Sequence, residues 1–183
     1  MRYGFAIALL ALALILSSCA IAANGFPTYI DLQDGYQFHY PNGWIQVDVQ
    51  NASRGVDVVF RDLIEPTENL SVIISDIPGD RQLQDLGTAT DVGYRFFKQR
   101  NAIDPNIKIE LLGAETFSKI GQTYYLLEFA VTLSDKQHRH DLASITTHNQ
   151  QLYTFNLSTT EQRWQSGKEQ FQTIVRSFSI NLK

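Results

Sequence analysis

The segment Leu70–Ile77 carries apolar side chains on both faces of an extended chain, with Leu70, Val72 and Ile74 on one side and Ile73 and Ile77 on the other. A strand of this kind needs cover above and below, so it belongs in the interior of a sheet flanked by two further layers. Its neighbours also read as strands. Tyr36, Phe38 and Tyr40 alternate with Gln37 and His39, Pro41-Asn42-Gly43 signals a turn, and Trp44–Val47 resumes the extended pattern, which predicts a hairpin. Val56–Arg61, Ile107–Phe117, Tyr124–Leu133, Arg139–Thr147 and Leu152–Leu157 follow as strands, the last two joined by a short link at His148-Asn149-Gln150.

Two segments change period. From Thr88 to Asn101, Ala89, Val92, Phe96 and Arg100 fall on one helical side, with Gly93 and Phe97 beside them. From Glu161 to Phe178, Trp164, Phe171, Ile174, Val175 and Phe178 make a buried stripe, and Ser158-x-x-Glu161 reads as a capping box at its start. Many strands joined by short turns, with only two helices, predict an α+β fold: a three-layer α/β/α sandwich around a mainly antiparallel sheet.

The first residues follow a different logic. Arg2 precedes an apolar run from Phe5 to Leu16, too short to span a bilayer, and Leu16-Ser17-Ser18-Cys19 follows. This order is that of a bacterial lipoprotein signal. Residues 1–18 are therefore expected to be removed, Cys19 to carry lipid, residues 19–28 to serve as a tether, and residues 29–183 to form one domain. A single acyl chain holds a protein to a membrane marginally, whereas two hold it stably, at about 0.8 kcal/mol per buried methylene. Cys19 is the sole cysteine. Once it is acylated, no disulfide, thiolate nucleophile or cysteine-ligated metal remains. The net charge of −4 becomes −5 without Arg2, and no Lys/Arg cluster stands against it, so nucleic acid is not an expected partner.

Among chemistry-bearing residues, His138 and His140 lie two apart on a predicted strand and share a face. Imidazoles suit zinc, copper or manganese-like ions, and Asp135 or Asp141 stands near enough in sequence to add oxygen. Solvated side chains at a strand end are the other reading of the same spacing. His39 and His148 read as surface residues, Trp44 and Trp164 as core or rim packing. Asp62, Glu65 and Glu68 read as a solvated acidic loop. No Gly-x-Ser-x-Gly, His-Glu-x-x-His or glycine-rich phosphate loop occurs, so an enzyme is not expected.

Asp34-Gly35-Tyr36, Tyr40-Pro41-Asn42-Gly43-Trp44, Val59-Phe60-Arg61-Asp62 and Glu68-Asn69-Leu70-Ser71-Val72 are similar, in order, to the PsbP family. Tyr124-Tyr125, Arg139-His140, Leu152-Tyr153 and Gln162-Arg163-Trp164 extend the resemblance over residues 31–181. It implies an α/β/α sandwich without catalytic activity or required cofactor, and a monomer serving among the extrinsic subunits and assembly factors on the lumenal face of photosystem II. The lipoprotein start looks like the cyanobacterial members, which implies attachment to the lumenal side of the thylakoid membrane and photosystem II lumenal subunits as partners. Plant members carry a longer N-terminal arm that helps retain calcium and chloride at the oxygen-evolving complex. The short segment here implies assembly or peripheral association instead. Plant members also pair a histidine of this strand with a carboxylate before the last helix as a divalent-metal site. Those positions fall on His140 and Glu161, with His138 as a further candidate, and zinc or manganese as the ion. A lumenal carrier or buffer of such ions is the alternative function. Glu161 also has a purely structural reading, since a carboxylate in the first turn complements the helix dipole.

Overall fold

The computed structural model describes residues 25–49 and 55–180; Cys19, the proposed signal and most of the tether lie outside the described residues. A large antiparallel sheet is built from β3 (Trp44–Val47), β4 (Val56–Asp62), β5 (Asn69–Asp76), β6 (Lys108–Lys119), β7 (Gln122–Thr132), β8 (His138–His148) and β9 (Gln151–Thr160), in the order β3-β4-β5-β9-β8-β7-β6. A small antiparallel sheet joins β1 (Thr28–Asp31), β2 (Tyr36–His39) and β10 (Ser179–Ile180), with β2 in the middle. Helix α1 (Ala89–Ile103) covers one face of the large sheet; α2 (Glu161–Ser177) and the small sheet together cover the other.

β5 lies between β4 and β9, the interior place its two apolar faces require. Alternation then sorts side chains into two cores. On β7, Tyr124 and Leu126 point to the α2 side, while Tyr125, Leu127, Phe129 and Val131 point to the α1 side. On β8, Leu142 joins the first core, Ala143 and Ile145 the second. Each fully buried aliphatic or aromatic side chain contributes about 1.5–3 kcal/mol, so both faces hold the sheet. An aromatic column ties the first core together. Phe38 of β2 stacks on Phe155 of β9 with centroids 4.6 Å apart, and Phe155 stacks on Phe178, just after α2, at 5.3 Å. That column is why the small sheet shares a layer with α2.

Helix α1 begins on a reciprocal cap: Thr88 N donates to Asp91 Oδ2 at 2.9 Å, and Asp91 N donates to Thr88 Oγ1 at 3.2 Å. Gly93 lets the helix close onto β6, because a Cβ there would sit 2.9 Å from the Leu111 methyls. The short link between β8 and β9 is a two-residue turn with positive φ at Asn149 (47°) and Gln150 (62°), the mirror-image form that matches strand twist.

Two expectations are corrected. Tyr36–Tyr40 and Trp44–Val47 do not form a hairpin. The turn exists, with Trp44 N donating to Pro41 O at 3.3 Å and Gly43 at φ +84°. However, β2 pairs with β1 and β10, and β3 pairs with β4. Tyr36 and Phe38 are buried between the sheet and α2, so β2 lies in the covering layer. A tight turn reverses the chain but does not choose its partner. The capping box at Ser158 is also absent. β9 stays in register with β8 as far as Thr160, opposite Arg139, so Ser158 remains in the strand. The helix is capped by Thr160, whose Oγ1 accepts from Arg163 N at 3.3 Å.

Candidate functional site

His140 lies near the start of β8 on its α2-facing side, opposite Ala130 of β7 and Thr159 of β9, and is 3% exposed. Its Nδ1 lies 3.1 Å from Glu161 Oε2, and its Nε2 lies 2.8 Å from Glu128 Oε1. The ring lies flat on Trp164, with centroids 3.9 Å apart and planes 11° from parallel. A neutral imidazole has one N–H, so both contacts can be donated together only by the imidazolium or with one carboxyl protonated. Burial opposes ionisation of Glu161, but hydrogen bonds from Gln165 (2.6 Å) and His140, with a smaller contribution from the charge of His138, hold its carboxyl below the ordinary glutamate range.

The residues fit a divalent ion on one criterion. Two ligands on a tetrahedral zinc with bonds of about 2.0 Å are separated by about 3.3 Å, close to the Nδ1–Oε2 distance seen here. Glu128 on Nε2 is then placed as the carboxylate that orients a ligating histidine from behind. Glu161 remains partly exposed, which gives an ion and its waters access. Two ligands make a weak site. His138 shares the face of His140, as its spacing predicts, but its Nδ1 contacts Thr132 Oγ1 at 3.2 Å at the exposed end of the strand. The two carboxylates approach opposite sides of the imidazole and do not converge on one point.

Glu128 was not singled out from the sequence. The available signal is a charged residue on the face that also carries Tyr124 and Leu126. The reading of Asp62, Glu65 and Glu68 as a solvated loop holds for Glu65 alone. Asp62 and Glu68 are buried beside the start of α2. Glu68 Oε1 accepts from Thr159 Oγ1 at 2.7 Å, and Arg163 lies 3.3 Å from Asp62 Oδ2 and 3.4 Å from Glu68 Oε2. The Glu68 Oε2 contact has ion-pair distance without hydrogen-bond geometry. Trp44 and Trp164 are both buried, as expected. Asp135 sits apart in the β7–β8 turn, accepting from Gln137 N. Asp141 points to the α1 side and accepts from Ser158 Oγ at 2.5 Å. His39 contacts Thr28 Oγ1 at the small sheet, and His148 closes β8.

Two other features lie away from this cluster. Asp31, Asp34 and Asp57 bring carboxylate oxygens within 4.8 Å of one another around Tyr36, whose hydroxyl donates to Asp57. Burial first, then the charges of Asp57 and Asp31, push the Asp34 carboxyl up. Between α1 and the sheet, a cavity of about 290 Å³ is lined by Ile73, Phe96, Phe97 and Phe129, with Thr154 and Asn156 on the sheet floor.

Comparison with known proteins gives one answer. The PsbP family model matches residues 24–180. A protein named CyanoP from Synechocystis is 54% identical over 173 residues, covering 93% of this chain and 92% of that one. CyanoP from Thermosynechococcus vestitus is 40% identical, covering 96% and 97% respectively. The solution structure of the Synechocystis CyanoP matches with a TM-score of 0.74 at 55% identity, covering 89% of this chain and 97% of that structure. Fold and sequence are similar over nearly the whole length, and the chain belongs to the PsbP family.

Proposed function

We propose that this chain is a non-catalytic extrinsic protein of the thylakoid lumen, held to the membrane by lipid on Cys19, which binds photosystem II subunits and assists assembly or stability. The observation that carries this reading is the similarity to two cyanobacterial relatives over more than nine-tenths of the chain. The geometry supports it. His140, a buried imidazole, is held by two carboxylates and an indole, an arrangement that orders the start of α2 rather than a substrate. Confinement to a membrane raises the effective concentration of the domain at a membrane partner without any new contact. Cross-linking followed by affinity isolation from detergent-solubilised thylakoids tests the partner. Recovery of photosystem II subunits cross-linked to the domain is expected, and their absence overturns the reading. Intact-mass spectrometry of the native protein tests the anchor: an acylated Cys19 as first residue is expected, and a free thiol removes it.

A second reading is favoured by the 3.1 Å separation of His140 Nδ1 and Glu161 Oε2. These residues would hold a weakly bound zinc or manganese, with Glu128 fixing the ring. Calorimetry at neutral pH on the native chain and on His140→Ala separates the two. Equal binding by both removes the metal reading.

A further inference from the structure

The loop between β4 and β5 turns two adjacent aliphatic side chains to solvent: Leu63 is 60% exposed and Ile64 91%. Its own acids brace it from within. Asp62 Oδ1 accepts from Ile64 N at 2.7 Å, while its other oxygen takes Arg163. Glu65 accepts from the Thr67 hydroxyl at 2.6 Å, Glu68 N donates to Glu65 O at 2.9 Å, and Asp62 N donates to Glu68 O at 3.1 Å. Single exposed aliphatic residues are ordinary. An adjacent pair held outermost on a closed loop contributes nothing to the core.

The register places this loop at the end of the molecule where the chain enters. Tyr40 N donates to Pro27 O at 3.0 Å, Trp44 N to Pro41 O, and Trp44 pairs with Asp62, next to Leu63. From Cys19 to Pro27 the backbone reaches at most about 28 Å. A domain of this size is roughly 38 Å across. A leash that short, starting at this end, favours an orientation with the β4–β5 loop toward the lipid. The opposite end, with Leu32 beside Asn149 and Gln151, is held away from it.

We propose that Leu63 and Ile64 form a lipid-contacting tip that enters the interfacial zone of the membrane bearing the Cys19 anchor. The inference rests on that anchor. The loop carries no Lys or Arg between Asp62 and Asn69, and the half-buried Glu65 adds a negative charge to it, so the surface it fits is one of neutral headgroups. The tip would set the tilt of the domain, while the acyl chains supply the attachment.

The test uses the full lipidated chain in phosphatidylcholine vesicles. With Cys19 acylated, Ile64→Cys or Leu32→Cys supplies the one free thiol for a nitroxide label. The label at 64 is expected to lie about 5 Å or more inside the interface, shielded from a water-soluble nickel chelate and open to oxygen, while the label at 32, where Leu32 is 77% exposed, stays in water. Protein that stays on the vesicles with both labels equally open to the chelate overturns this inference and leaves the anchor standing; that result is also the one expected if the tip docks on protein. Protein that fails to float with the vesicles overturns the anchor, and this inference with it.

Discussion

The imidazole of His140 and the indole of Trp164 are parallel within 11° and 3.9 Å apart, which pins the first turn of α2 to β8 of the large sheet. The same ring is gripped at its edges by Glu161 and Glu128. A strand, a helix and a neighbouring strand therefore meet at one side chain.

His140→Ala removes the stack and two hydrogen bonds and leaves a void under Trp164. A loss of about 2–3 kcal/mol is expected, read from a shift in the urea midpoint at unchanged slope. His140→Phe keeps the stack but deprives both carboxylates of their partner, so it should recover no more than half of that loss. Full recovery would show that the hydrogen bonds contribute nothing.

Zinc titration offers a separate measure of the same cluster. If the ion takes Nδ1 and Glu161, Glu128→Gln should weaken binding by about tenfold without abolishing it, while His140→Ala abolishes it. Affinity should fall as pH drops, because the ion competes with protons for its ligands. An unchanged affinity in Glu128→Gln would mean that the ring orients itself without that carboxylate.

The two carboxyls with opposite shifts make opposite pH predictions. Glu161 is held below its ordinary value of 4.5, so its interactions stabilise the fold above that pH and are lost as pH falls through the lowered value. Asp34 is pushed above its ordinary 3.8 by burial and by Asp57 and Asp31, so its ionisation costs stability once pH exceeds the raised value, and the cost disappears below 3.8. Asp34→Asn should therefore raise the melting temperature at pH 7 by about 1–3 °C and give no gain near pH 3. A gain that persists in acid would point to something other than charge.

Ile120 occupies the β6–β7 turn at φ 51° with its side chain 69% exposed, a conformation disfavoured for a β-branched residue. Gly121 follows at φ 75°, so the turn has the backbone that Asn-Gly prefers. Ile120→Asn should stabilise by about 1 kcal/mol, seen as a higher melting temperature. No change would mean that the turn relaxes when the isoleucine is present.

Arg163 bridges Asp62 and Glu68 at the foot of α2, and Glu68 is fully buried there. Arg163→Met leaves that carboxylate without its cation. Since Arg163 is itself half exposed and water can partly replace it, a loss of about 1–3 kcal/mol is expected, checked by denaturant titration. Glu68→Gln in the same background should restore part of it.

Periodicity along the chain was enough to specify the sandwich. Leu70–Ile77 had to be interior, Trp164 to Phe178 had to face a sheet, and His138 and His140 had to share a face, because side-chain direction in a strand or helix is fixed by local geometry. Which elements became neighbours was decided elsewhere. β2 left β3 for the small sheet because Phe38 found Phe155 and Tyr36 found Phe178, and β9 ran through Ser158 to Thr160 because β8 continued to bond it. Glu128 reached His140 from twelve residues away, and Arg163 drew Asp62 and Glu68 inward from about a hundred. Local spacing sets where a side chain points; long-range packing alone sets what it meets, since loops of very different length cost similar entropy to close.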